Sequence, residues 1–380
     1  MPDSMVPPHS VFLKWTRKMT VETIAAQFAT AGTIGKVQAH GGGHINDSYR
    51  LLNSANNQPD YLLQRVNHNV FKDVPLLMQN TVLVCDHVAT KISELYPDEV
   101  DRRSLTIIPT TDGLSFFKDP EGNFWRVLRF IDPHLVFDST TDPDIAYQGA
   151  LTFGAFTSML NDLPAEKVGT VIPDFHNMKW RLTQLKESIR KDAAGRLKMV
   201  KEEIEYVESR AKMMLTIHEL GESGKIPLRV THNDTKISNV LFDTDRKGLC
   251  VIDLDTIQPG YVTSDFGDGI RTLTNTGEED DENLDRVSMD LELFEAFASG
   301  FLDSTREILL DAEKDALLYA GLLFPYMQAV RFLIDYLDGD TYYKIKHPEH
   351  NLVRTLAQLK LTKDGEEKMD KLKAIITKLS

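Results

Sequence analysis

The sequence contains little cysteine and no long, uninterrupted apolar run. Only two cysteines, Cys85 and Cys250, occur among 380 residues. This number excludes a disulfide framework and favours a reducing compartment. The longest apolar stretch, residues 316–327, is shorter than the about 20 residues that span a bilayer, and it contains Pro325. No charged-then-apolar signal pattern opens the sequence, because prolines interrupt it early. We therefore expect a cytoplasmic protein without a membrane partner.

Positive charge is also scarce. The sequence has 43 basic against 57 acidic residues and a net charge of −14. Nucleic acids and anionic membranes are bound by clustered lysines and arginines, so neither is expected as a main partner. The composition is otherwise that of a globular protein, with 42% hydrophobic and 26% charged residues. A chain of this length can bury a large core and form two domains or lobes.

The pattern of apolar residues changes character near residue 132. Strand-like alternation dominates residues 34–131, and one helical pattern interrupts it over 74–95. A short helix is predicted before it, at residues 20–31. Longer helical patterns follow at residues 144–160, 177–194, 201–220 and 285–337. We predict an α+β protein with an N-terminal arm and helix (1–32), a small antiparallel-sheet N-lobe (33–132) and a larger, mainly helical C-lobe (133–380).

One polar motif lies between short strand-like segments of the predicted C-lobe. His232, Asp234 and Asn239 have the spacing H-x-D-x4-N, and Asp253 ends a later apolar run. The arrangement resembles the one that protein kinases use for phosphoryl transfer, which favours a two-lobed, protein-kinase-like fold. Asp234 is the candidate catalytic base, and Asn239 and Asp253 are candidate Mg²⁺ ligands through hard oxygen atoms. The plain alternative is a polar turn and a solvated strand end. His232 is expected to hold the loop by hydrogen bonds.

A literal Asp-Phe-Gly occurs at residues 265–267, but it does not have the context of a metal-binding motif. No apolar strand precedes Asp265, whereas one precedes Asp253. We therefore assign the metal ligand to Asp253. Asp265 and Asp268 are predicted to cap a helix or to brace the catalytic loop.

A glycine-rich segment lies between two predicted strands of the N-lobe. Consecutive glycines let backbone N–H groups approach phosphate oxygens, so Gly41, Gly42 and Gly43 are candidate ATP contacts. The segment is not a Walker A motif, because no Gly-Lys-Ser/Thr follows, and a glycine-rich hairpin is the alternative. Arg65 occupies the place of the phosphate-pairing lysine of kinases; otherwise it is a surface arginine. His44 and Asp47 are candidate acceptor contacts.

An acidic run covers residues 278–282, with five carboxylates in succession. Such a run is usually a solvated loop. Its functional alternative is attraction of a cationic acceptor, such as choline or an aminoglycoside.

Several further segments complete a wider resemblance. They are Gly-His-Ile-Asn-Asp-Ser-Tyr at 43–49, Pro-Asp-Phe-His-Asn at 173–177, Asp-Phe-Gly-Asp-Gly-Ile-Arg at 265–271, and residues 63–67, 125–127, 251–256 and 331–343. With H-x-D-x4-N, they resemble the aminoglycoside phosphotransferase and choline kinase superfamily, and more narrowly its N-acetylhexosamine 1-kinases. The resemblance implies ATP and Mg²⁺ in a cleft, and transfer to the C1 hydroxyl of an N-acetylhexosamine. It also implies that His44, Arg331 and Tyr342 contact the acceptor.

Two alternatives remain at this stage. The enzyme could instead phosphorylate an amino alcohol or an aminoglycoside. A nucleotide-binding pseudokinase that scaffolds a partner is the second alternative, and the presence of Asp234, Asn239 and Asp253 together counts against it. The pair Gln79-Asn80 departs from the pattern that the resemblance implies, because it stands where an acidic residue is usual and would form an ion pair in the N-lobe.

Overall fold

A computed structural model describes residues 19–41 and 45–379 of the chain. The protein divides into two compact units. The first contains the described residues up to Val70 together with Ile107–Phe130, and the second contains Phe71–Thr106 and the residues from Ile131 onward. The change of unit at residue 131 lies where the sequence pattern changes character. Residues 71–106, in contrast, pack within the second unit rather than with the sheet.

The first unit is an antiparallel sheet. Its strands pair in the order β1-β2-β3-β6-β4, and β5 pairs with β6. Buried side chains from the sheet and from the short helix α1 form one core, which includes Leu51, Leu63, Val127 and Ile24. The elements are α1 (Val21–Ala25), β1 (Ile34–Ala39), β2 (Asp47–Asn53), β3 (Tyr61–Val66), β4 (Ile107–Ile108), β5 (Phe117–Lys118) and β6 (Phe124–Arg129).

Helix α1 is shorter than the predicted helix over residues 20–31. It begins after the N-cap Thr20, whose side chain accepts a hydrogen bond from the Thr23 N–H. The chain then leaves the helix, because Phe28 forms a β-bridge with Thr110 and the Ala29 N–H donates to the Pro109 carbonyl. Tertiary pairing therefore overrides a local preference for helix.

The second unit is mainly helical. Its helices are α2 (Val74–Leu95), α3 (Val100–Arg103), α4 (Pro143–Met159), α5 (Met178–Lys191), α6 (Lys201–Met214), α7 (Thr216–Glu222), α8 (Val262–Leu273), α9 (Leu291–Thr305), α10 (Asp311–Leu337), α11 (His350–Glu367) and α12 (Met369–Leu379). Two short antiparallel pairs accompany them: β7 (Arg229–Thr231) with β10 (Gln258–Gly260), and β8 (Val240–Phe242) with β9 (Gly248–Val251). The helix predicted over 201–220 is two consecutive helices, α6 and α7, and the helices predicted over 285–337 are α9 and α10.

Asn80 explains why α2 belongs to the second unit. Its side chain is buried, and the amide donates to the carbonyls of Gly169 (2.7 Å) and Ile257 (3.0 Å). Its side-chain oxygen accepts the Gly169 N–H at 2.9 Å. The amide therefore joins α2 to two loops of the second unit.

Helix α10 lies at the centre of the second unit. It is long and apolar enough to cross a membrane by length and composition, but 78% of its most apolar segment is buried inside the protein. Helix α8 packs closely on it at Gly267. A Cβ at Gly267 would lie 2.4 Å from Phe324 Cδ2 and 2.7 Å from the Ala320 carbonyl oxygen. Glycine at this position permits the contact that holds α8 beneath the motif loop.

Candidate phosphoryl-transfer site

The loop of the H-x-D-x4-N motif connects β7 to β8, and His232 fixes its shape. The Asp234 N–H donates to His232 Nδ1 at 3.2 Å, and His232 Nε2 donates to the Ile252 carbonyl at 2.9 Å. The imidazole is buried, with Phe153 and Phe156 packed edge-on against it. Nδ1 therefore fixes the turn within the motif loop, and Nε2 joins that loop to the one that carries Asp253. His232 has the structural role expected of it.

Asp234 is held between an amide and an ammonium group. Asn239 Nδ2 donates to Asp234 Oδ2 at 2.9 Å and to its backbone carbonyl at 2.8 Å. Lys236 Nζ donates to the same Oδ2 at 2.7 Å. Burial alone would raise the pKa of Asp234, but Lys236, together with His232 and Asn239, holds that pKa below its usual value. The carboxylate is therefore ionised at neutral pH.

Asp253 stands beside Asn239. The Ile252 N–H donates to the Asn239 carbonyl at 2.9 Å, which places the next residue at the same end of the β8–β9 hairpin. Asp253 adopts the left-handed conformation, with φ 61° and ψ 58°. Aspartate tolerates this region better than most residues, and such positions cluster at functional sites. The negative charge of Asp253 also raises the pKa of Lys236, although burial and then Asp234 have the larger effects.

The donor set fits a hard divalent cation. Asn239 uses its nitrogen for Asp234, which leaves the amide oxygen as its ligand atom, and Asp253 supplies a carboxylate. Within the part of the chain that the structure describes, no group of three or more His, Cys, Asp or Glu side chains forms a metal site. Mg²⁺ is commonly bound by one or two protein oxygens together with phosphates and water. The residues present are compatible with that kind of site.

Helix α8 braces the loop through two buried carboxylates. Asp265 accepts the N–H groups of His232 (3.0 Å) and Asn233 (2.7 Å), and Asp268 accepts that of Thr235 (3.2 Å). Burial raises the pKa of Asp265 to about 6, and burial also raises the pKa of Asp268. Asp265 lies within α8, whose N-cap is Tyr261, so the expected bracing is present and helix capping is not.

The predicted acceptor residues Arg331 and Tyr342 lie in different surroundings. The Arg331 guanidinium lies 5.7 Å from the ring centres of both Phe175 and Tyr343. Tyr342 is 72% exposed and contacts Tyr343 edge-on. The segment is held by Asp335, which accepts three consecutive backbone N–H groups at 2.8–2.9 Å. Tyr343, rather than Tyr342, is therefore the tyrosine in contact with Arg331.

The acidic run over residues 278–282 is used largely within the protein. Glu279 pairs with Arg271, Asp281 pairs with Arg286, and Asp280 accepts from Lys346 and from His350 at 2.8 Å each. Three of the five carboxylates are thus already engaged. The acidic run therefore has less unpaired negative charge with which to attract a cationic acceptor.

In the first unit, Gly41 has a φ of 70°, a conformation that glycine adopts at little cost. Gly42, Gly43 and His44 lie outside the described residues. Arg65 and Asp47, on neighbouring strands, form an ion pair in which Arg65 Nε donates to Asp47 Oδ2 at 2.7 Å. The predicted phosphate contact and one predicted acceptor contact are therefore partners of each other.

The family model described as "Phosphotransferase enzyme family" matches residues 36–295, which is more than half of the chain. The chain belongs to this family. It is therefore a phosphotransferase.

Several solved structures have a similar fold. An aminoglycoside phosphotransferase from Alicyclobacillus acidocaldarius is 15% identical with a TM-score of 0.59, over 96% of this chain and 98% of that one. A choline kinase from Cryptosporidium parvum is 15% identical with a TM-score of 0.53, over 90% and 91%. An amicoumacin kinase in complex with AMP-PNP and Ca²⁺ is 12% identical with a TM-score of 0.53, over 93% and 91%. At these identities the likeness shows the fold, and it confirms the predicted α+β kinase-like fold.

Sequence reasoning missed some residues of the phosphotransferase site. Lys236 stands inside the motif, two residues after Asp234, so its position alone could have suggested a contact with the carboxylate. His176 and Arg181 belong to the segment that precedes and begins α5, far from the motif in sequence. Only the fold brings His176 near Asp234 and near Arg181, whose charges both act on its ring.

A cavity of about 700 Å³ lies elsewhere in the second unit of the phosphotransferase. Residues of α2, α4 and β9 line it, including both cysteines. Leu254, the neighbour of Asp253, forms part of its wall, whereas Asp234, Lys236 and Asn239 do not. The cavity is therefore separate from the candidate phosphoryl-transfer residues.

Proposed function

We propose that this phosphotransferase is a cytoplasmic, ATP- and Mg²⁺-dependent kinase that phosphorylates the anomeric hydroxyl of an N-acetylhexosamine. The observation that carries the proposal is the contact of Asp234 with Asn239 and Lys236 beside Asp253. Phosphoryl transfer requires mainly positioning and charge neutralisation. A fixed, ionised carboxylate supplies the positioning of the acceptor.

In the proposed reaction, Asp234 orients the acceptor hydroxyl and receives its proton. The hydroxyl oxygen forms a bond to the γ-phosphorus of ATP while the bond from that phosphorus to the ADP oxygen breaks. The products are the sugar 1-phosphate, ADP and a proton. The transition state is largely dissociative, so a carboxylate of low pKa suffices as the base. Asn239 and Asp253 would hold Mg²⁺, which when bound neutralises charge on the phosphates.

On the nucleotide side, we assign phosphate contacts to Gly41, Gly42, Gly43 and Arg65. Arg65 can present its planar fork to a phosphate if it exchanges its contact with Asp47 for that phosphate. The side chains of this pair are 42% and 50% exposed, so the exchange involves little burial. The exchange would release Asp47 from the ion pair.

On the acceptor side, we assign contacts to His44, Asp47, Arg331 and Tyr342, as the resemblance to N-acetylhexosamine 1-kinases implies. The arginine and the rings near it can combine hydrogen bonds with stacking, which suits a sugar. The amino alcohol and aminoglycoside alternative depended on the acidic run. The ion pairs of Glu279, Asp280 and Asp281 within the protein favour the sugar.

The test is a panel of acceptors with ADP detection in the presence of ATP and Mg²⁺. It includes N-acetylglucosamine, N-acetylgalactosamine, choline, ethanolamine and an aminoglycoside. We expect ADP release to depend on an N-acetylhexosamine, and ³¹P NMR of the product to show a phosphate on C1. Turnover with choline or the aminoglycoside alone would support the alternative. Absence of acceptor-dependent turnover throughout would contradict the proposal.

A further inference from the structure

Two arginines of the second unit, Arg181 and Arg331, have no carboxylate partner among the described residues. Arg181 of α5 donates to the side-chain oxygen of Gln184 (3.1 Å) and to the Phe175 carbonyl (3.3 Å). Arg331 of α10 donates to the side-chain oxygen of Gln328 at 3.0 Å. Among residues 19–41 and 45–379, neither arginine forms an ion pair with an aspartate or glutamate. Each therefore keeps its positive charge uncompensated by direct contact.

Two other little-exposed arginines of the second unit, Arg229 and Arg271, are paired with acids. Arg229 contacts Glu313 at 2.7 Å, and Arg271 contacts Asp268 at 3.0 Å. A buried charge is costly unless it is paired, so these contacts are the expected arrangement for structural arginines. Arg181 and Arg331 depart from it together.

The charges of these two arginines also act on each other. Burial, followed by repulsion from Arg331, lowers the pKa of Arg181 to about 10. Asp174 attracts Arg181 without forming an ion pair with it. Two like charges held in one region favour an anion between or beside them.

Polar atoms without a partner converge on the same region. His176 Nδ1, Arg181 Nε and the Tyr343 hydroxyl are buried and make no hydrogen bond with the described residues. The rings around them are packed: Phe175 stacks on His176 at 4.4 Å, and the Arg331 guanidinium lies 5.7 Å from both Phe175 and Tyr343. Buried polar groups are normally hydrogen-bonded, so such a cluster indicates a polar ligand.

The cluster lies beside the phosphoryl-transfer residues. His176 packs edge-on against Phe324 at 4.9 Å, and Phe324 is in turn the neighbour of Gly267 in α8. The next residue of α8, Asp268, accepts the N–H of Thr235, which follows Asp234. The charges of Asp234 and of Arg331 both act on His176. His176 therefore connects the region of the two arginines with that of the proposed base.

We propose that the acceptor carries an anionic substituent, a carboxylate or a phosphate, and that Arg181 and Arg331 bind it. This inference rests on the proposed function. It narrows the proposed acceptor from N-acetylhexosamines in general to those that carry an acidic substituent. Arginine offers a planar fork that matches both groups bidentately. A neutral sugar would leave the two positive charges uncompensated. A cationic acceptor would add a third positive charge.

The experiment compares sugars that differ in one substituent: N-acetylglucosamine, its C6 carboxylate and its C6 phosphate, with glucosamine as the cationic arm. Calorimetry measures the Kd of each sugar, and ADP release measures kcat/KM. For the wild type, we expect the Kd of at least one anionic sugar to be 10-fold or more below that of the neutral sugar. Which of the two anionic sugars binds more tightly identifies the anionic group.

Two variants accompany the sugars. Arg181→Gln is expected to reduce the preference for the anionic sugar by 10-fold or more. Lys179→Gln removes a positive charge from the same helix at an exposed ion pair with Glu222, and it is expected to leave the preference unchanged. Equal Kd values for neutral and anionic sugars, no measurable binding of either anionic sugar, or an unchanged preference in Arg181→Gln would overturn the inference. Binding without turnover would contradict only the proposed function.

Discussion

At the scale of single residues, the site depends on how Asp234 is kept ionised. Burial and the ammonium group of Lys236 act on its pKa in opposite directions, and the lowering effects are the larger. The motif spacing predicted that Asp234 and Asn239 act together, and the two side chains are in contact because both lie in one loop. Spacing could not indicate the position of Arg181, since a sequence contains no signal for a contact formed between distant helices.

The first prediction concerns Lys236→Met. Without the ammonium group, burial is less opposed and the pKa of Asp234 rises. Activity requires the ionised carboxylate, so the acid limb of the kcat/KM profile should move to higher pH. The ratio of variant to wild-type kcat/KM should therefore be smaller at pH 5.5 than at pH 8. Lys247→Met, in the exposed turn of the β8–β9 hairpin, is the matched control and should give a constant ratio. A parallel fall at every pH would show that Lys236 does not tune Asp234.

At the scale of elements, α8 links the motif loop to α10. Its carboxylates accept backbone N–H groups of the loop, and its glycines allow close packing on neighbouring helices. Periodicity predicted a sheet before residue 132, mainly helices after it, and the apolar run that ends at Asp253. Helix boundaries were less predictable. Residues 26–31 join the sheet through Phe28 and Thr110, and no local pattern indicates that pairing.

The second prediction uses two glycines on facing helices. A Cβ at Gly267 would overlap Phe324 and the Ala320 carbonyl, whereas a Cβ at Gly321 would meet nothing closer than 3.5 Å. Gly267→Ala should therefore destabilise the protein by about 1–3 kcal/mol through overpacking. Gly321→Ala should be neutral or stabilising by up to about 1 kcal/mol, since alanine favours helix. Urea unfolding of both variants measures the difference. Equal stabilities would contradict the close approach of α8 to α10.

At the scale of the whole molecule, an acidic chain stabilises itself partly by pairing its carboxylates. Asp280 joins residues far apart in sequence, because Lys346 and the buried His350 both donate to it. Hydrogen bonds from Lys346 and then His350 lower the pKa of Asp280 to about 2. The sequence indicated an acidic run here, but not that the fold would use three of its carboxylates internally.

The third prediction follows from this low pKa. Stability gained from ionised Asp280 is present above the ordinary aspartate value of 3.8 and is lost as the pH falls toward about 2. Asp280→Asn should lower the free energy of unfolding at pH 5 by on the order of 1 kcal/mol, and the Tm at pH 5 should fall accordingly. The difference from the wild type should narrow at pH 3. Glu282→Gln, an exposed carboxylate of the same run, is the control and should change the Tm little at either pH. A Tm difference that is larger at pH 3 than at pH 5 would contradict this prediction.

The central claim is that Asp234 acts on the acceptor hydroxyl during phosphoryl transfer. Its most direct test is acceptor-dependent ADP release by Asp234→Asn, with ATP affinity and Tm measured alongside. The substitution keeps the shape of the side chain and removes the charge. We predict that kcat falls by about 100-fold or more while ATP affinity and Tm stay close to those of the wild type. Undiminished ADP release from the folded variant would contradict the claim.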